Sequence, residues 1–186
     1  MAERSEYPSF RDNIAYETFY VGAIGGSVVA LLLLVLDALA GQALFTPSVA
    51  GSALFLGVPP QLHAAINLQA VALVTALHIV LSGGMGLTAA LLVRAVDPGR
   101  NRPVLATLLM FGIVEGGFLL GATLVASNLP AVLGYLRVAL VNLTAAAAMI
   151  AWVHHAGRVE EESRQESIHR EAHHSREAAG VEKTTV

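Results

Sequence analysis

Three residues are chemically out of place in their surroundings. His78 in TALHIV, Glu115 in FGIVEGGF and Asn142 in LVNL each lie near the middle of a long apolar run. An imidazole, a carboxyl and an amide can hold or relay a proton, ligate a metal, or hydrogen-bond one another. Asp37 and Arg137, of opposite charge, sit closer to the ends of such runs. A lone charge at a bilayer centre costs between about 3 and 10 or more kcal/mol, so Glu115 must be neutral, paired, or within reach of water or a metal.

The runs that carry these residues are long enough to cross a membrane. At about 1.5 Å per residue, roughly 20 apolar residues span a hydrocarbon core of about 30 Å. Four segments qualify, at about 18–41, 66–93, 104–126 and 131–153. The predicted fold class is therefore all-α: an integral membrane four-helix bundle over residues 18–156, with a polar lead-in at 1–17 and a charged, mobile tail at 157–186. The composition agrees, with 55% hydrophobic and 13% charged residues in 186 and a mean hydropathy of +0.62. A cleaved leader ending at Ala38-Leu39-Ala40 is disfavoured, because the residues before the first run are acidic and Asp37 interrupts its end.

Residues 42–65 are uncharged but too broken by Gly and Pro to span. Thr46 before Pro47 has the pattern of a helix cap and first turn, which predicts a short interfacial helix at 47–56, ended by Gly57 and Pro59-Pro60. Ten of the eleven Lys and Arg fall before the first run, in the turn RAVDPGRNRP or after the fourth run, so both termini are expected on the cytoplasmic side of an inner membrane. Tyr16, Phe19, Tyr20 and Trp152 are placed as aromatic anchors at that edge, with Tyr135 towards the opposite one.

Helices that pack in lipid rely on small residues. Gly22 and Gly26 in the first run, Gly86 in the second, and the pairs Gly112/Gly116 and Gly117/Gly121 in the third are predicted packing positions. Counting from the outer ends puts His78, Glu115 and Asn142 about 16–18 Å deep, which predicts one mid-depth polar layer with a buried His78/Glu115 pair. Asp37 and Arg137 form a second layer nearer the outer surface. Each layer could be a structural clasp, or the first could be a proton or ion site with Asp37 and Arg137 as its outer gate.

No cysteine is present, so thiolate metal sites, disulfides and covalently attached c-type haem are excluded. His78, Glu115 and Asp37 could form at most a mixed N/O metal site, without the His/Glu spacings usual on a single helix. His154 and His155 lie at a different depth from His78, so a haem held by two histidines would have to be shared between subunits. His169, His173 and His174 lie in a tail dominated by Glu and Arg and are read as solvated; His63 and Asn67 are read as loop and helix-end groups. Gly83-Gly84-Met85-Gly86 lacks the preceding strand and following lysine of a phosphate loop. No nucleophile elbow, zinc-protease motif or dinucleotide fingerprint occurs, and no basic patch suggests nucleic acid.

Asp37, the segment LFTPSVAGSALFLG, His78, Glu115 and Asn142 together resemble a group of small bacterial four-helix inner-membrane proteins, over residues 18–155. The resemblance implies the four-crossing fold and the association of His78, Glu115 and Asp37, but no activity. The expectation is a non-enzymatic accessory, assembly or scaffold subunit of an inner-membrane complex. Its partners would be the lipid bilayer and either other subunits or further copies of itself, and no cofactor is predicted. The alternative is a proton-coupled or ion-binding membrane protein using His78 and Glu115; a metal- or haem-binding redox component is the third reading.

Overall fold

A computed structural model describes residues 14–62, 65–95 and 102–182, all helical or connecting. His63, and four of the basic residues counted above for orientation (Arg4, Arg11, Arg100 and Lys183), lie outside the described residues. Among the described residues six α-helices follow one another: α1 Ile14–Leu39, α2 Phe45–Leu56, α3 Leu68–Ala95, α4 Arg102–Val125, α5 Leu129–Leu133 and α6 Tyr135–Glu182. Four of them contain stretches long and apolar enough to cross a membrane: Ile14–Leu39, Leu68–Ala95, Pro103–Leu124 and Tyr135–Val159.

Local sequence explains the breaks. α1 stops where Gly41 takes a left-handed φ of 74°, a conformation glycine adopts without steric penalty. α2 is closed in the same way by Gly57 at φ 65°. Its start departs from the expected cap: the helix begins at Phe45, and Leu44, not Thr46, is the flanking residue, held at φ 68° with no side-chain cap of its own. The cap is supplied from outside the segment, by Asp37, as described below. α3 does have a local cap, since Asn67 Oδ1 accepts the Ala70 N–H at 3.0 Å.

The fourth crossing differs most from expectation. In place of one helix from residue 131, α5 forms a single short turn and Gly134, at φ 83°, breaks it from α6. α6 then continues through the charged segment to Glu182, 48 residues in all or about 72 Å at the helical rise. The predicted tail is thus helical and continuous with the crossing as far as the described residues reach. Glu166 and Arg170 sit one turn apart along it, 3.9 Å from each other and both exposed.

α1 is the central member, packed mainly against α3 and α6, while α4 packs chiefly on α6 and α2 lies against α3. α2 is seated closely: a Cβ on Gly51 would fall 2.1 Å from Ala70 O, and Asn67 N–H donates to Ser48 Oγ at 2.7 Å. Two apolar clusters fill the bundle. One, near the Asp37 end, joins Val49, Ala122, Leu129, Leu133 and Val138. The other, towards Glu17, is built around Val21, Val93, Met110, Met149, Ile150 and Val153.

Candidate functional site

Asp37 is only 1% exposed and its carboxylate accepts from two other segments of the bundle. Oδ2 accepts the backbone N–H of Thr46 at 2.7 Å, and Oδ1 accepts the Thr46 hydroxyl at 2.8 Å. Arg137 Nη2 also donates to Oδ1 and reaches Leu33 O at 3.3 Å. An anion at the first turn of α2 meets unpaired N–H groups and the positive end of the helix dipole. Asp37 therefore caps α2 from α1 while holding α6 through Arg137. The predicted outer pair is brought together, and it includes a third helix that the spacing did not reveal.

His78 and Glu115 do not meet in a hydrogen bond. His78 Nε2 donates to Gly26 O at 3.0 Å, joining α3 to α1. A carbonyl can only accept, so Nε2 carries the proton in this arrangement. Glu115 Oε2 instead accepts from Asn142 Nδ2 at 2.8 Å, joining α4 to α6. The expected single layer is thus two separate units on different helix pairs.

The levels differ as well. From the Asp37–Arg137 contact, Asn142 is five residues along α6, about 8 Å, whereas Gly26 is eleven residues along α1, about 16 Å. The misplaced depth came from starting the fourth crossing before Gly134: α6 begins at Tyr135, so Asn142 is shallower than a count from residue 131 implies. Glu115 lies between Val114 and Phe118, which belong respectively to the margins of the Glu17-side and Asp37-side apolar clusters, so its bond falls in the gap between the two clusters.

The packing glycines also divide. Those of α1 and α3 are filled: a Cβ on Gly22 would lie 2.4 Å from Ser82 O, one on Gly26 2.4 Å from Ser82 Oγ, and one on Gly86 2.2 Å from Thr18 O. By contrast, no atom lies within 4 Å of a Cβ built on Gly112, Gly116, Gly117 or Gly121. Among the described residues, the four α4 glycines thus make no close contact with another helix.

One buried charged group was missed. Glu17, assigned to the polar lead-in, belongs to α1 and is buried, and Arg94 Nη2 of α3 donates to its Oε2 at 2.5 Å. The available signal was an acid and a base at the same predicted membrane edge, on consecutive crossings. Twenty residues of α1, about 30 Å, separate Glu17 from Asp37, so the two ion pairs bracket one hydrocarbon thickness.

Among the described residues, no hydrogen bond links His78 or Glu115 to either terminal ion pair, and no three His, Asp or Glu side chains gather closely enough to hold a metal ion. Asp37, His78 and Glu115 each bond to different partners. Comparison with protein families, curated proteins and solved structures finds no match to this chain.

Proposed function

We propose that the protein is a non-catalytic subunit of an inner-membrane complex, inserted with both termini in the cytoplasm and acting in assembly or as a scaffold. The observation that carries this reading is how the interior polar groups are used. Asp37 with Arg137, Glu115 with Asn142, His78 with Gly26 O, and Glu17 with Arg94 each tie two helices together. Such bonds fix helix positions in lipid, where hydrophobicity contributes little to association.

Proton conduction has less support, because its two central residues serve different helix pairs. The apolar cluster around Val21, Val93 and Met110 separates them from the Glu17–Arg94 end.

The test is purification of the tagged chain at native abundance in mild detergent, with quantitative mass spectrometry. Membrane proteins recovered at a fixed ratio to the chain support the proposal. Recovery of the chain without companions, together with ion transport that Glu115→Gln abolishes, overturns it.

A further inference from the structure

We infer that the charged extension of α6 binds a divalent transition-metal ion of the zinc class through His169 and His173. This goes beyond the accessory reading, which stands without it. In a mobile tail these histidines would be separate, solvated groups. α6, however, runs unbroken from Tyr135 to Glu182, so residues four apart fall on one side of it, one turn from each other. His169 and His173 have that spacing in HREAHH.

The spacing suits the ion. Positions four apart on a helix have Cβ atoms about 5–6 Å from each other, near enough for two imidazoles to take one ion at Zn–N distances of about 2.0–2.1 Å. The same pairing of histidines holds zinc on the helix of zinc proteases. There a glutamate follows the first histidine and acts as general base, whereas here Arg170 follows it, so the pair offers binding without that hydrolysis.

The surroundings favour a cation. Glu162 and Glu166 precede His169 by seven and three residues and Glu177 follows His173 by four, so all three share the side of the pair. Where its side chains are described, that side is an open hollow lined by Glu162, Gln165, Glu166, His169 and Arg170. Arg170 is 3.9 Å from Glu166, which offsets its charge; Arg176, three residues past His173, lies on this side too. Imidazole suits zinc, copper, nickel and iron ions, whereas magnesium and calcium take oxygen ligands. Water or one of the carboxylates would complete a four-ligand shell.

The test uses the full chain, purified in mild detergent with an affinity tag that contains no histidine, dialysed to equilibrium against zinc chloride and assayed for bound zinc. The unaltered chain should hold about one ion more than the His169→Ala His173→Ala double variant. Each single variant of the pair should weaken binding about tenfold or more, while His174→Ala, off this side of the helix, should stay within about twofold. Alanine is the strongest helix former, so these changes do not unwind α6. Adding Glu171→His to His173→Ala restores the number of histidines but not their spacing, and should not recover binding. Excess magnesium chloride should leave the zinc in place. Equal zinc in the unaltered chain and the double variant, an equal loss in His174→Ala, recovery by Glu171→His, or displacement by magnesium overturns the inference. None of those results alters the co-purification test of the accessory role.

Discussion

Replacing Asp37 by Ala removes three hydrogen bonds at once: two from Thr46 and one from Arg137. Interhelical hydrogen bonds in membrane bundles average about 0.6 kcal/mol and reach about 1.7, so their sum sets a lower figure near 2 kcal/mol. Removing one partner of a fully buried ion pair costs about 3–5 kcal/mol, because the other charge is left uncompensated. The Arg137 side chain is 26% exposed and can turn towards water, so the loss for Asp37→Ala should be about 2–3 kcal/mol, below that buried limit. Arg137→Ala leaves the carboxylate with Thr46 alone in a site 1% exposed, and its cost should be at least as large. The assay is reversible unfolding in mixed micelles with increasing SDS, for both single variants and the double variant. A coupling of about 1–2 kcal/mol is expected from that cycle. A cost for Asp37→Ala below about 0.5 kcal/mol, or strict additivity with Arg137→Ala, would refute the claim that this contact holds α1, α2 and α6 together.

Other outcomes follow from the same geometry and assay. Gly86→Ala places a Cβ 2.2 Å from backbone at Thr18 and should cost about 1–3 kcal/mol through forced helix separation; Gly112→Ala, with open space around it, should stay within about 0.5 kcal/mol. Arg94→Ala strands the buried Glu17 carboxylate. The 40% exposure of Arg94 marks a boundary site where water can enter, so the loss should be about 1–2 kcal/mol, well below the fully buried case. His78→Ala removes a single bond to Gly26 O and should cost about 0.6–1 kcal/mol, without altering the cost of Glu115→Gln; coupling between the two variants would contradict their assignment to separate helix pairs.

The crossings were legible because apolar length is a strong signal, and the α1/α3 contact because Gly22, Gly26, Ser82 and Gly86 recur at helical spacing. The Asp37–Arg137 contact was legible because opposite charges at one depth in lipid have few other solutions. What the sequence hid was long-range. Thr46-Pro47 has the form of a self-capped helix start, but the carboxylate that binds the Thr46 N–H comes from nine residues earlier, on another helix. Gly134 looked like one more small residue in an apolar run, yet its positive φ delays α6 and shifts Asn142 outward. Periodicity identifies which side of a helix is small or polar but not which neighbour meets it. The α4 glycines therefore read like those of α1, although among the described residues only the latter are covered.

The central claim is that Glu115 joins α4 to α6 and does not carry protons. The most direct measurement is proton flux into liposomes containing the purified chain and an internal pH-sensitive dye, under an imposed membrane potential. Wild type and Glu115→Gln should both give the flux of protein-free liposomes. Flux above that level in wild type, lost in Glu115→Gln while the variant remains folded, would contradict the account.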